Sequence, residues 1–205
     1  SLTLDEILVN GGFLTGAVAI FSIILIRMRY RLTKKEVIAR HALEQSKREV
    51  EEKNHEILDS INYAKRIQSA ILPPLSMIAD QLPESFVLYK PKDIVAGDFY
   101  WIESLSDKIL FAVADCTGHG VPGAMVSVIC NNGLNRSVRE HNITEPGKIL
   151  NKTCEIVIQE FEKSEEDVRD GMDIALCSLS GNNLQYAGAN NPLWLIRDKE
   201  LIEIK

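Results

Sequence analysis

PKDIVAGDFYWIESLSDKILFAVADCTGHGVPG, residues Pro91 to Gly123, reads as a β-hairpin with an aspartate at each open end. The first strand, Asp98-Phe99-Tyr100-Trp101-Ile102-Glu103, is rich in the aromatic residues that suit a pleated surface. Ser104-Leu105-Ser106-Asp107 carries turn chemistry. The second strand, Lys108 to Ala114, ends at Asp115, and a glycine-rich loop, Cys116-Thr117-Gly118-His119-Gly120-Val121-Pro122-Gly123, follows.

A tight turn at Ser106-Asp107 sets the pairing. Leu105 then faces Lys108, Tyr100 faces Val113, and Asp98 faces Asp115. Paired residues share a face, with Cβ atoms about 4.5–5.5 Å apart. Two like charges so placed destabilise each other unless a positive group sits between them. A hard divalent cation answers that need, because Mg²⁺ and Mn²⁺ prefer carboxylate, carbonyl and water oxygens. The glycines after Asp115 let the backbone turn sharply and expose its carbonyls. The same spacing also fits a hairpin whose two polar strand ends are simply solvated.

Four stretches carry a resemblance. Val95-Ala96-Gly97-Asp98-Phe99-Tyr100-Trp101, Val113 to Met125, Gly171-Met172-Asp173-Ile174-Ala175-Leu176 and Tyr186 to Trp194 together resemble the SpoIIE-type branch of the metal-dependent (PPM) serine/threonine protein phosphatases. The resemblance covers the chain from about Leu72 onward, and the segment Asn62 to Pro74 is similar to the lead-in of that branch. It implies an α+β fold, a partial PPM-type β-sandwich flanked by helices, and a two-metal centre of Mn²⁺ or Mg²⁺. It further implies hydrolysis of phosphoserine or phosphothreonine in a protein, with anti-sigma-factor antagonists among the substrates. By motif position, Asp98 and Asp115 are the metal ligands, and the Cys116 backbone carbonyl is an added one. His119 is a candidate acid for the leaving serine oxygen; a glycine-flanked histidine is also an ordinary loop residue. The resemblance expects further strands and an Asp-Gly element carrying a third carboxylate beyond Lys205. Asp170 and Asp173 are the late candidates within the chain, and Asp173 opens a strand rather than standing in for that ligand. A catalytically silent domain that binds a phosphoprotein or relays a signal is therefore the alternative.

Composition fits one modest globular domain plus an extension. A net charge of −6 argues against a general nucleic-acid binder. Cys116, Cys130, Cys154 and Cys177 lack Cys-x-x-Cys spacing, so reduced thiols are expected rather than a disulfide framework or zinc site. Ser1 in place of Met points to sequence upstream.

Residues 1–6 read as an extracytoplasmic stub and 7–26 as a transmembrane helix, with Asn10, Thr15 and Ser22 its only membrane-resisting side chains. Arg27, Arg29, Arg31, Lys34 and Lys35 follow, which places the remainder in the cytoplasm of a cell whose inner or plasma membrane holds the helix. The other reading is a buried helix of a soluble domain. Residues 27–71 form a basic juxtamembrane segment and linker helix without Pro or Gly. Leu43, Val50, Ile57, Ala64 and Ile71 recur every seven residues, with Asn54, Ile61 and Gln68 at the second core position. This is the seam of a parallel coiled coil, hence a homodimer, or else a single solvated spacer helix. A membrane-tethered dimerisation module with the folded end as platform is a further reading, which the opposed acids disfavour.

Pro73-Pro74 ends the linker, and residues 72–205 form the incomplete phosphatase domain. Phe86 to Lys90 reads as its first strand. A helix from Pro122 to about Arg139 has Met125, Val128, Ile129 and Asn132 on one face. A second, capped by Thr144, runs from Glu145 to about Phe161 with Ile149, Ile156 and Val157 inward. Lys163 to Gly171 reads as a surface loop, and four strands follow: 173–179, 184–188, 193–197 and 200–205. Consecutive helices without βαβ alternation favour an antiparallel α+β arrangement.

Overall fold

The computed structural model describes residues 4–163 and 170–204, with side chains described from Gly12 onward. Most of the loop expected from Lys163 to Gly171 thus lies outside the described residues. The chain divides into two compact units, residues 1–57 and 58–205.

The first unit is helical. It belongs to α1 (Leu4–Ile71), whose residues 58–71 fall in the second unit. Near the N-terminus α1 contains a stretch of mean hydropathy 1.6, long and apolar enough to cross a membrane by length and composition. Further along, Arg40–Glu44 (3.3 Å) and Lys47–Glu51 (3.6 Å) are exposed one-turn ion pairs, each contributing a few tenths of a kcal/mol at most. Leu43, Val50 and Ile57 are exposed.

The second unit continues after Pro73-Pro74 with a short helix α2 (Leu75–Gln81) that the sequence reading lacks. Strands β1 (Phe99–Ser104), β2 (Ile109–Cys116), β3 (Met172–Ser180) and β4 (Asn183–Ala189) form one antiparallel sheet in that order. Between β2 and β3 run α3 (Gly120–Arg139) and α4 (Pro146–Phe161). β5 (Leu193–Arg197) and β6 (Glu200–Ile204) pair as a separate two-stranded sheet. The helical layer covers one face of the large sheet. That face carries Phe99, Trp101, Leu110, Ala112, Ala114, Ile174 and Leu176, which pack with Val126, Leu134, Ile149 and Val157 of the helices. Trp101 fixes the docking further, because its Nε1 donates to Asn135 Oδ1 at 2.8 Å. At the opposite end of β1, Arg139 reaches Glu103 with two hydrogen bonds of 2.9 and 2.7 Å.

Three expectations are corrected. Phe86 to Lys90 is not a strand. Among the described residues no strand supplies its backbone with a partner, and Phe86 and Leu88 stand 90% and 85% exposed. The inward face of α3 is not that of Met125 and Asn132, which are exposed. It is Gly123, Ala124, Ser127, Cys130, Gly133, Leu134 and Ser137. Small residues win there because close approach needs them: a Cβ on Gly133 would lie 3.1 Å from a Thr153 methyl of α4. Thr144 does not cap α4. Glu145 occupies that position, and Thr144 Oγ1 accepts from Lys108 Nζ instead. The inward placement of Ile149, Ile156 and Val157 holds.

All four cysteines are free, and only Cys154 is exposed. Burial pushes the Cys177 thiol up to about 11. At pH 8 a maleimide should therefore label Cys154 first, the other three reacting only when the domain opens. Mass-spectrometric mapping after brief labelling checks this; early labelling of Cys116 or Cys130 would contradict the packing.

Candidate metal centre

The hairpin has the expected register. Tyr100 pairs with Val113 and Phe99 with Ala114, and the turn closes through Leu105 N–H donating to Lys108 O at 2.9 Å. Asp98 and Asp115 stand one step past the last ladder pair, on the sheet face away from the helices. The register therefore brings their carboxyl groups to the same face of the same sheet end. Burial first, then a hydrogen bond to the Asp115 carboxyl and repulsion from its charge, hold the Asp98 carboxyl above the usual range. When protonated, Asp98 donates to Asp115. Two carboxylates side by side repel each other, and a divalent cation between them fits the donor set.

Three loops converge behind this pair. Gly97, the residue before Asp98, packs so closely that a Cβ there would lie 2.7 Å from Gly118 O and 2.9 Å from Cys116 O. The Cys116 carbonyl therefore points toward the Asp98 strand. Its sulfur points the other way, into the core. A hydrogen bond with Cys130 and then burial push the Cys116 thiol up, so it stays neutral. Only the carbonyl of Cys116 is available to a hard cation. Gly118 takes a φ of +87°, which lets the loop reverse after β2. Thr117 ties that loop to the start of β3: its N–H donates to Gly171 O at 3.0 Å, and its Oγ1 accepts from Gly171 N–H at 3.1 Å.

Asp173 lies directly opposite Asp115 across β2 and β3, so Asp98, Asp115 and Asp173 line one sheet end on one face. They do not form a three-ligand cage. Among the described residues no three His, Cys, Asp or Glu side chains converge on one point. Asp173 is instead held by Asn190, whose Nδ2 donates to its Oδ1 at 2.7 Å. Asp170, like Asp173, lines a cavity of about 650 Å³ together with Asp115 and His119. His119 is 77% exposed at the start of α3, and its Nδ1 lies 3.3 Å from Asp93 Oδ2. On the other side of the pair, a cavity of about 510 Å³ is lined by Asp98, Tyr100, Val113, Asp115 and the Phe86–Lys90 segment. Tyr89 bridges to the pair: its hydroxyl donates to Asp98 O at 3.2 Å and its ring stacks edge-on against Tyr100.

Sequence reading thus finds Asp98, Asp115, Cys116 and His119 in one neighbourhood. It misses Tyr89, Asp93, Thr117 and Asn190, whose roles depend on contacts between segments far apart in the chain. The Thr-Gly spacing around Thr117 and the Asn190-Asn191 pair are the only local signals that could have singled out two of them.

Comparison with known proteins finds similar sequences and folds. Residues 106–204 match the family model described as Stage II sporulation protein E (SpoIIE). Over those residues the chain is similar to that family. The SiaA-PP2C domain of Pseudomonas aeruginosa is similar to the chain at 32% identity and a TM-score of 0.66, over 74% of this chain and 61% of that domain. The chain therefore spans about three-fifths of that relative's length. The RsbU and RsbW domains of a Mycobacterium tuberculosis protein match at 19% identity and a TM-score of 0.43, over 56% of this chain and 31% of theirs. A serine/threonine phosphatase of S. agalactiae matches at 18% and 0.43, over 57% of this chain and 51% of that one. No curated protein matches. The matched segment begins within the β1–β2 turn, so Asp115, Cys116 and His119 lie inside it and Asp98 just before it.

Proposed function

We propose that this chain is part of a membrane-anchored signalling phosphatase that hydrolyses phosphoserine or phosphothreonine on a protein. The carrying observation is the hairpin register that sets Asp98 against Asp115 beside a loop similar to that of the SpoIIE family. Asp98, Asp115 and the Cys116 carbonyl would hold Mn²⁺ or Mg²⁺, two ions in the whole domain. When bound, such ions supply an activated water and neutralise phosphate oxygens. The chain's own groups do the rest. Tyr89 and Gly97 fix the strand that bears Asp98. With Nδ1 turned to Asp93, a doubly protonated His119 would present Nε2–H as the proton for the departing serine oxygen. The first amides of α3 lie beside the same loop and favour an anionic group.

A silent, phosphoprotein-binding domain is the second reading, supported by the lack of a third converging carboxylate among the described residues. Calorimetric titration with Mn²⁺, followed by phosphate release from a phosphoserine protein such as an anti-sigma-factor antagonist, separates the two. Metal-dependent release supports the enzyme; binding of the phosphoprotein without release supports the silent domain.

Residues 7–26 serve as the anchor, 27–71 as the basic segment and coiled-coil linker, and 72–205 as the phosphatase domain, on the cytoplasmic side of an inner or plasma membrane. Support comes from the apolar stretch of α1, the following cations, and the exposed Leu43, Val50 and Ile57 at seven-residue spacing. In a Cys154→Ser background, Val50→Cys and Ile57→Cys should crosslink two copies of the chain, whereas Arg48→Cys should not. Equal crosslinking at all three positions removes the coiled coil.

A further inference from the structure

Gln68 stands at a second core position of the seven-residue pattern, yet it does not face outward. It is 5% exposed, turned into its own domain. Its Nε2 donates to Ala96 O and, at 3.0 Å, to Ser127 Oγ; its Oε1 accepts from Ala96 N–H at 3.1 Å. Ser127 Oγ donates its own hydrogen bond to Ala124 O at 2.7 Å. One side chain from α1 thus satisfies both backbone polar groups of Ala96, as a neighbouring strand would.

Ala96 is two residues from Asp98, and what lies between them cannot move independently. A Cβ on Gly97 would lie 2.7 Å from Gly118 O and 2.9 Å from Cys116 O, and one on Gly123 would lie 3.1 Å from Gly97 Cα. Backbone therefore rests on backbone, from Ala96 through Gly97 to both the Cys116 carbonyl and the first turn of α3. Shifting Ala96 moves the Asp98 side chain relative to Asp115 and the Cys116 oxygen together.

We propose that Gln68 is a positioning residue for the metal centre, its carboxamide holding Ala96 so that Asp98, Asp115 and the Cys116 carbonyl keep the spacing a divalent cation needs. This rests on the metal reading above. By linkage, cation binding and the docking of Gln68 strengthen each other by the same factor. The amide is required because an apolar side chain of equal size would leave two buried backbone groups of Ala96 unpaired. A carboxylate would keep the acceptor and lose the donor.

The test needs no turnover. Free Mn²⁺ is read by electron paramagnetic resonance during titration of the whole chain and of Gln68→Leu, Gln68→Glu and Ser127→Ala. Gln68→Leu should raise the Kd for Mn²⁺ between about 10- and 100-fold, the range for loss of a group that orients a ligand. Gln68→Glu should fall between Leu and wild type, and Ser127→Ala, which spares the Ala96 pair, should match wild type. In the unaltered protein, hydrogen exchange at the Ala96 amide should slow when Mn²⁺ is added. That measurement decides the matter if Gln68→Leu does not fold. A folded Gln68→Leu that binds Mn²⁺ like wild type, or an Ala96 amide indifferent to Mn²⁺, overturns the positioning role and leaves the metal centre standing. Absence of Mn²⁺ binding by the wild type overturns both.

Discussion

Asp115→Asn is expected to abolish Mn²⁺-dependent phosphate release from a phosphoserine protein, a loss of at least about 10³-fold. Charge stabilisation by a metal centre amounts to several kcal/mol, and about 1.4 kcal/mol is tenfold in rate. Asn keeps the shape and removes the charge, so the loss would report on cation binding rather than on packing. The control is the metal-free protein. The Asp98 carboxyl is held above its ordinary range by burial and by its neighbour. A group raised in the folded state contributes its full stability below its unfolded pKa, and loses that contribution as pH rises through the folded value. At neutral pH the charged pair is thus a cost to the fold. Asp115→Asn lessens it, so the metal-free melting temperature at pH 7 should stay level or rise. The same logic makes Mn²⁺ compete with protons at Asp98 from a higher pH than at an ordinary aspartate. Retained Mn²⁺-dependent release in Asp115→Asn, measured as inorganic phosphate, would end the assignment.

Gly123→Ala should destabilise the second unit by about 1–3 kcal/mol, the usual penalty of overpacking. Helix propensity alone points the other way, since Ala in a helix is favoured over Gly by about 0.8–1.0 kcal/mol. The contact decides the sign. A Cβ on Gly123 would lie 2.5 Å from Gly118 O and 2.8 Å from its carbonyl carbon, and both are backbone atoms that cannot rotate aside. Relief requires α3 to back away from the loop that carries the Cys116 carbonyl, so Mn²⁺ affinity should fall with stability. Gly147→Ala is the comparison, with nothing within 4 Å of the new methyl and hence no loss expected. Denaturant unfolding of the two variants reads the difference. A stabilised Gly123→Ala would show that the three loops are not in contact.

Much of the hairpin was legible without coordinates. Alternating apolar residues, a two-residue turn and antiparallel pairing leave one register in which the core face stays buried, and that register sets Asp98 against Asp115. The inward residues of α4 were legible for the same reason, because large aliphatics at helical spacing report their own burial. The inward face of α3 was not. Its buried residues are mostly small, and their burial follows from how near α4 and the Gly97 loop come, which is a property of the assembled layers. Phe86 to Lys90 shows the same limit from the other side. Its composition suits a strand, but a strand exists only where a second backbone supplies hydrogen bonds.

The amino-acid order alone determined the hairpin with its pair of acids and the two helices that follow it, because turn chemistry and side-chain periodicity act over a few neighbouring residues. It also determined which stretch is apolar enough for a bilayer, a matter of composition. Only the tertiary structure decided that Asp173 stands beside Asp115 while bonded to Asn190, and that the Cys116 sulfur is buried while its carbonyl faces Gly97. It alone decided that Gln68 serves its own domain. These depend on which distant segments meet, and a polar side chain takes the partner that burial leaves it rather than the one its repeat suggests.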